Sequence, residues 1–180
     1  MSNFLSLSNY RPQAADHFFF DTNVWFYIYY PMGDYEQNLA AEYSRLLKQI
    51  REVKAQIVIT SLVLSEFYNR CLRNEFYQLR NQRQLASEMK FKEFRSTELC
   101  KTKAMETIEI IKNILKAAHP LDDHFSGLEQ GQLFNQLEES DFNDKYHMVL
   151  AGNCGLKIVT HDRDFFTKDL PLTIISALNP

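Results

Sequence analysis

The chain has 180 residues and a mass of 21.2 kDa, and its 45% hydrophobic content predicts one domain over residues 1–180, with one core and one site. Three cysteines without CxxC spacing, no leader-like opening and no long apolar run argue against a disulfide framework, a zinc site, secretion and membrane insertion, and favour the cytoplasm. The net charge of -3 by itself argues against a nucleic-acid ligand.

Four short apolar segments predict the strands of a buried, mainly parallel sheet. They are rich in Val, Ile or Phe, and each ends at polar residues. In chain order they are His17–Phe20, Gln56–Thr60, Lys157–Thr160 and Leu172–Ile175. Segments with helical periodicity separate them, and strands separated by helices indicate βαβ units and an α/β fold.

Five segments have the apolar spacing of a helix. Their expected bounds are Glu36–Val53, Leu62–Gln84, Glu98–Ala118, Leu128–Glu138 and Phe142–Asn153. Residues 67–139 contain no convincing strand, so a long helical excursion is expected between the second and third strands. Gly152 and Gly155 predict the end of the last helix, and Pro120 is expected to end the helix before it.

Charge is distributed unevenly along this excursion. Residues 67–119 carry eleven Lys and Arg against six Asp and Glu, a net charge of +5. Residues 120–144 carry seven acids and no Lys or Arg. A basic tract is typical of nucleic-acid contact, although solvated helix faces give the same pattern.

Carboxylates directly follow two of the predicted strands. Asp21 comes after the first strand, with Asn23 beside it, and Asp162 and Asp164 come after the third. Because parallel strands present their carboxyl ends at one edge of a sheet, where α/β proteins bind ligands, these groups are expected to meet. The alternative is that Asp and Asn only cap helices and form turns here.

Two predicted helices add further carboxylates. Thr60 or Ser61 is expected to cap the helix after the second strand, which places Glu66 one to two turns into that helix, near the sheet edge. Asp141 and Asp144 lie one turn apart at the start of the helix before the third strand, and Asp141 also fits the N-cap of that helix.

Such a cluster needs a compensating charge. Four carboxylates within about 5 Å would repel by roughly 3 kcal/mol per pair at an effective dielectric constant near 20, so folding alone does not favour it. Mg²⁺ and Mn²⁺ take oxygen ligands and can activate a water for attack on a phosphodiester. The pattern therefore predicts a site for one or two Mg²⁺ or Mn²⁺ ions.

The order and spacing of these motifs resemble the PIN-domain nuclease family, which includes the toxin ribonucleases of bacterial toxin–antitoxin pairs. The matching pieces are Asp21-Thr22-Asn23, Glu66 in SLVLSEF, and Asp144 followed 18 residues later by Asp162 in VTHDRDF. The resemblance covers most of the chain and implies a three-layer α/β/α domain. The excursion over residues 67–139 departs from it, being longer than a compact member needs and leaving the usual middle strand unlocated.

The resemblance implies roles for individual residues. The acidic quartet that binds metal and catalyses falls on Asp21, Glu66, Asp144 and Asp162. The accessory polar positions fall on Asn23 and Thr160, with Asp141 and Asp164 as neighbours. It further implies a metal-dependent endoribonuclease that cleaves RNA and leaves a 5′-phosphate and a 3′-hydroxyl. An antitoxin protein and a second copy of the chain in a homodimer are the candidate partners.

Other residues near these motifs have two interpretations each. Arg70 and Arg73 follow Glu66 at i+4 and i+7, so they are candidates for contacts to RNA phosphates, unless Arg70 only pairs with Glu66. His147 is interpreted as a packing residue and not as a metal ligand. The aromatic residues in 25–30 are interpreted as core or partner-facing, with base stacking as the alternative.

Three other functions compete with a nuclease. A phosphatase of the haloacid-dehalogenase type needs a second acid two residues after the first, where this chain has Asn23, and a later lysine motif that is not evident. A phosphoacceptor receiver domain is similarly disfavoured. A catalytically silent PIN-like module that binds RNA or protein is the remaining alternative, and the complete quartet argues against it.

Overall fold

Six parallel strands form one sheet in the computed structural model, which describes residues 2–30, 33–139, 141–166 and 170–178, with the backbone alone for 33–36 and 139. The strands are β1 (Asn3–Ser6), β2 (His17–Phe20), β3 (Gln56–Ile59), β4 (His119–Pro120), β5 (Lys157–Val159) and β6 (Thr173–Ser176). Their order in the sheet is β1-β6-β5-β2-β3-β4, and every paired neighbour runs parallel. The predicted α/β class and parallel sheet are confirmed.

Helices flank the sheet. Those in the described part of the chain are α1 (Thr22–Tyr29), α2 (Gly33–Glu52), α3 (Ser61–Asn81), α4 (Phe91–Phe94), α5 (Glu98–Ala117), α6 (Gln130–Phe134) and α7 (Phe142–Cys154). Short 3-10 helices cover Phe125–Gly127, Leu137–Glu139 and Arg163–Phe165. None of these helices is long and apolar enough to cross a membrane.

The sheet is buried because its central strands are apolar on both faces. Phe18, Phe19 and Phe20 of β2 are fully buried, as is Ile158 of β5. A parallel strand covered by helices on both faces is expected to have such a continuous apolar sequence. Asp21, which directly follows β2, is therefore attached to a fully buried strand of the core.

The order in which the chain adds strands to the sheet reverses at β2. From β2 the chain proceeds to β3 and β4 on one side, whereas β5 and β6 lie on the other. In open α/β sheets, ligands bind outside the carboxyl ends of the strands at such a switch point. Asp21 follows β2 and Thr160 follows β5, so this topology brings the two segments side by side.

The excursion between β3 and β5 carries a small apolar cluster of its own. Its buried members are Leu72, Phe76, Leu79, Phe94 and Cys100. They come from α3, α4 and α5, so the second half of α3 packs against the excursion and the first half packs against the sheet. The predicted long helical excursion is confirmed, and it explains why α3 is 21 residues long.

Two strands were not predicted. β1 is short and at an edge, and its partner β6 is about 170 residues away in sequence, so no local pattern indicates it. β4 has only two residues, and one of them is Pro120, which predicts the end of a helix and not a strand. The expectation that residues 67–139 contain no strand was therefore wrong, because β4 lies within the excursion, directly after α5.

Several predicted elements also need correction. The expected helix Leu128–Glu138 is wrong: Asn135 is extended and Gln136 has a positive φ of 54°, so only the turn-length helices α6 and Leu137–Glu139 form. Helices α1 and α4 were not predicted. The end of α7 was predicted correctly, because Gly155 adopts a left-handed conformation with φ 64° after Cys154.

Candidate metal centre

The predicted carboxylates meet in one cavity of about 340 Å³ at the carboxyl edge of the sheet. Among the described residues, those that line it are Asp21, Asn23, Tyr27, Glu66, Arg70, Asp141, Asn143, Asp144, His161 and Asp162. They come from four parts of the chain: α1 with its cap, α3, α7 with its cap, and the segment after β5. The cavity thus gathers side chains that are up to 141 residues apart in sequence.

Asp21 is the most buried carboxylate of the cavity, with an exposed fraction of 5%. One oxygen accepts a hydrogen bond from the backbone N–H of Thr22 at 2.6 Å, and the other accepts from Oγ1 of Thr160 at 2.9 Å. Burial nevertheless raises the pKa of Asp21 to about 7, with the charges of Glu66 and Asp162 contributing in the same direction. Asp21 is therefore both the N-cap of α1 and a member of the acidic cluster.

Thr160 connects the segments on either side of the switch point. Its hydroxyl donates to Asp21, and it accepts from the backbone N–H of Asp162 at 3.0 Å and from Nδ2 of Asn23 at 3.4 Å. Oδ1 of Asn23 in turn accepts from the backbone N–H of His161 at 3.1 Å. The two accessory positions thus fix the backbone that carries Asp162, and Thr160 is completely buried.

Glu66 reaches the cavity from α3. Thr60 caps this helix by accepting a hydrogen bond from the backbone N–H of Val63 at 3.4 Å, as the sequence predicts. An oxygen of Glu66 accepts from the hydroxyl of Thr22 at 2.9 Å, across 44 residues of sequence. No role for Thr22 was predicted from the sequence. The only indication of such a role was its position between Asp21 and Asn23.

Asp144 is the carboxylate least compensated by the protein. Among the described residues no side chain or backbone N–H donates to it. Burial, together with the nearby charges of Asp21, Asp141, Asp162 and Glu66, raises the pKa of Asp144 to about 8. The environment thus disfavours the charged form of Asp144 unless a cation is present.

Three carboxylates provide a geometry that suits one metal ion. One oxygen from each of Asp144, Asp162 and Asp164 lies within 4.8 Å of the other two. Opposite ligands of an octahedral Mg²⁺ at about 2.1 Å are roughly 4.2 Å apart, so these oxygens could reach one divalent ion after small side-chain movements. Asp164, which the resemblance gave only as a neighbour, belongs to this group, although it is not among the described residues that line the cavity.

Asp141 has the capping role that the sequence suggests. It is the N-cap of α7, and its Oδ1 accepts from the backbone N–H of Asn143 at 2.8 Å. It also lines the cavity and is exposed. Because its carboxylate already serves the helix, it is the natural comparison for Asp144.

The two arginines that follow Glu66 lie in different places. Arg70 lines the cavity, and its guanidinium carbon lies 4.4 Å from the centroid of the Phe26 ring. Arg73 lies over the Phe91 ring at 4.9 Å and does not belong to the lining. The two differ mainly along the helix axis, because Arg70 is about 6 Å beyond Glu66 and Arg73 is about 10.5 Å beyond it at a rise of about 1.5 Å per residue.

Two rings also line the cavity: Tyr27 comes from the aromatic segment 25–30, which was predicted to be core or partner-facing with base stacking as the alternative, and no role was predicted for His161. Tyr27 lines the cavity one turn after Asn23 on α1, and His161 lines it directly before Asp162. Behind them Tyr43 is fully buried, and its hydroxyl lies 3.0 Å from Nδ1 of His161. Burial lowers the pKa of His161, and Glu42 and Asp162 act in the opposite direction.

His147 lies outside this lining. It is 1% exposed, packs against Phe19 and has Nε2 3.4 Å from Oγ1 of Thr60. Its Nδ1 has no hydrogen-bond partner among the described residues. Burial lowers the pKa of His147 to about 4, which agrees with its interpretation as a neutral packing residue.

Comparison with known proteins supports the family that the motifs resemble. The family model for the PIN domain matches residues 18–169, and the chain therefore belongs to the PIN domain family. A search of proteins with curated functions gave no significant match.

Solved structures share the fold at low sequence identity. One is VapBC2 from Rickettsia felis bound to a DNA fragment from its promoter, with a TM-score of 0.57, 18% identity, and coverage of 89% of this chain and 98% of that chain. Another is PAE2754 from Pyrobaculum aerophilum, with a TM-score of 0.49, 18% identity, and coverage of 96% and 90%. At such identities the likeness concerns the fold.

Proposed function

We propose that this protein is a Mg²⁺- or Mn²⁺-dependent endoribonuclease that uses Asp21, Glu66, Asp144 and Asp162 as its acidic site. The observation that carries this proposal is the convergence of these four side chains on one cavity. Two of them, Asp21 and Asp144, have pKa values raised to about 7 and about 8. A cluster that the fold itself leaves uncompensated is typical of a functional site.

The surroundings of each carboxylate indicate its proposed role in the site. Asp144 and Asp162, with Asp164 beside them, have the spacing to hold a divalent ion. Asp21 and Glu66 are oriented by Thr160 and Thr22, so they approach the cavity from its other segments with little freedom. A bound divalent ion supplies a water of lowered pKa and stabilises charge on the leaving oxygen.

The remaining lining supports hydrolysis by water. Among the described residues that line the cavity there is no serine, threonine, cysteine or lysine, and the nucleophile we propose is a metal-bound water. Arg70 is the one cation in this described lining, and its guanidinium can hold a phosphate oxygen beside the carboxylates. A phosphodiester would thus bind with its charge shared between Arg70 and the metal.

Residues 1–180 are proposed to act as one domain with this single site, since β1 near the start of the chain pairs with β6 near its end. We also infer that an antitoxin protein controls the enzyme in the cytoplasm. The resemblance of the acidic motifs to those of toxin ribonucleases within the PIN family supports this inference, and the fold neighbour from Rickettsia felis is VapBC2 bound to a DNA fragment from its promoter. The oligomeric state, including a homodimer, is a separate question for solution measurements.

The proposed function is tested with the purified protein, RNA and metal. Calorimetry with Mg²⁺ or Mn²⁺ should show binding, millimolar metal should raise the melting temperature, and single-stranded and structured RNA should be cleaved in metal but not in EDTA. An Asp144→Asn preparation serves as the control against contaminating nucleases. Absence of both heat and thermal shift would exclude the metal-dependent mechanism, and RNA binding without cleavage would indicate the silent module.

Removal of the two arginines should have unequal effects. Arg70→Ala should weaken RNA binding by several-fold and reduce the salt dependence of the affinity, because it removes one phosphate contact at the cavity. Arg73→Ala should have a smaller effect, since Arg73 lies outside the lining. Affinities are measured by fluorescence anisotropy across a range of salt concentrations, and metal affinity should be unchanged in both variants. If the two substitutions reduce RNA affinity equally, the position of Arg70 in the cavity lining gives it no special role in RNA binding.

A further inference from the structure

One wall of the cavity is aromatic. Tyr27 and His161 line it together with the acidic residues. Each ring is attached to a segment that already carries a polar group of the site: Tyr27 lies one turn after Asn23, and His161 directly precedes Asp162. We propose that Tyr27 and His161 form a binding subsite for one unpaired base of an RNA strand, next to the phosphodiester that is cleaved. This inference rests on the proposed function and specifies its substrate.

The two rings are held in fixed orientations. Tyr27 stacks on Tyr43 with ring planes 7° apart and centroids 6.2 Å apart, and His161 stands nearly perpendicular to both rings, at 86° and 88°. The buried hydroxyl of Tyr43 donates to the carbonyl of Thr160 at 3.1 Å. A base that stacks on rings already in place costs less conformational entropy than one that must order them.

The size of the cavity favours a single nucleotide. Its volume of about 340 Å³ is at the lower end of the roughly 300–1,000 Å³ typical of small-ligand pockets. A duplex does not enter a cavity of this size, whereas a base turned out of a single strand does. Arg70 and the carboxylates of the same cavity are then available for the attached phosphate. Stacking on aromatic rings tolerates every base, so the subsite selects unpaired RNA and not a sequence.

The test combines a change in the protein with a change in the RNA. The probe is a single-stranded RNA whose cleavage position has been mapped, together with copies that carry one abasic nucleotide on either side of that position. Wild-type kcat/KM should fall about 5- to 100-fold for one of the abasic positions. Tyr27→Leu should show a loss of that size on the intact RNA and little further loss on the abasic copy. Tyr27→Phe keeps the aromatic ring and should therefore keep the loss that the abasic nucleotide causes.

Tyr29→Leu is the matched control, because Tyr29 lies on the same helix and stacks on Trp25 outside the described lining. It should leave the abasic effect intact. Equal abasic penalties in the wild type and Tyr27→Leu would overturn the subsite, as would wild-type cleavage that is indifferent to a missing base. The second result stands even if Tyr27→Leu does not fold, which circular dichroism would detect.

Binding in Ca²⁺ by anisotropy separates this inference from the proposed function. If the protein binds single-stranded RNA with the same dependence on Tyr27 and on the base, but never cleaves it, the hydrolytic function fails and the subsite stands. If it cleaves RNA with no such dependence, the subsite fails and the function stands. Loss of both binding and cleavage in the wild type would overturn the two together.

Discussion

Asp144→Asn should leave the metal-free protein folded and at least as stable as the wild type, while metal affinity and RNA cleavage fall together. The substitution removes a carboxylate to which no described group donates a hydrogen bond, and whose charge is repelled by its neighbours. It also removes one of three closely spaced carboxylates that are the candidate ligands of the metal ion. We expect at least the tenfold loss that about 1.4 kcal/mol represents, and a much larger loss in cleavage rate.

Asp141→Asn provides the control for Asp144. Asparagine caps a helix about as well as aspartate, so the cap of α7 should survive the change. Both stability and cleavage should therefore be close to wild type. Thermal melts with and without Mn²⁺, isothermal calorimetry and cleavage rates measure the three quantities. If Asp144→Asn unfolds the metal-free protein or cleaves RNA at the wild-type rate, the assignment of Asp144 as a ligand is wrong.

Asp21→Asn should differ from Asp144→Asn in stability. The change lowers the repulsion within the cluster, but Asp21 accepts two hydrogen bonds, and an amide can accept only at its oxygen. The hydroxyl of Thr160 would lose its acceptor, and a lost buried hydrogen bond costs about 1 kcal/mol. The gain from reduced repulsion is therefore partly offset, and the apoprotein should stay close to the wild type. Cleavage should still fall by at least tenfold.

The metal-free protein should lose stability as the pH rises from about 4 to about 8. The folded-state pKa values of Asp21 and Asp144 are raised to about 7 and about 8, from an ordinary value of 3.8. The folded state therefore holds protons that the unfolded chain releases. These groups stabilise the fold fully below pH 4, and that contribution is lost as the pH passes the folded-state values. The expected result is a fall of at least several degrees in the Tm of the metal-free protein between these pH values, measured by thermal melts.

Comparison with Asp144→Asn isolates this effect from other titrating groups. The difference in Tm between wild type and variant should change between pH 5 and pH 8, with the wild type losing more. Saturating Mg²⁺ or Mn²⁺ should flatten the wild-type profile, because the metal binds the deprotonated carboxylates and releases protons on binding. Calorimetry in buffers of different ionisation enthalpy measures that proton release. A wild-type profile parallel to that of the variant would show that Asp144 titrates normally.

The local parts of this protein could be predicted from its sequence. Apolar runs predicted four of the six strands, and the acidic motifs, whose order and spacing resemble those of PIN domains, predicted the four carboxylates that line one cavity. Caps were equally accessible: Thr60, Asp141 and Gly155 act within a few residues of their own positions. These features depend on periodicity and on backbone groups nearby in sequence. Each of them can therefore be predicted from a single segment of the chain.

Contacts between distant segments were decided only by the tertiary structure. The sequence indicated Thr160 as an accessory residue, but its position under Asp21 depends on the pairing of β2 with β5, across 139 residues. The pairing of Thr22 with Glu66 depends in the same way on the packing of α1 against α3. The aromatic wall arises because α1, α2 and the segment after β5 pack around Tyr43. Such contacts form where the sheet brings strand ends together, and no local pattern encodes which side chains then meet.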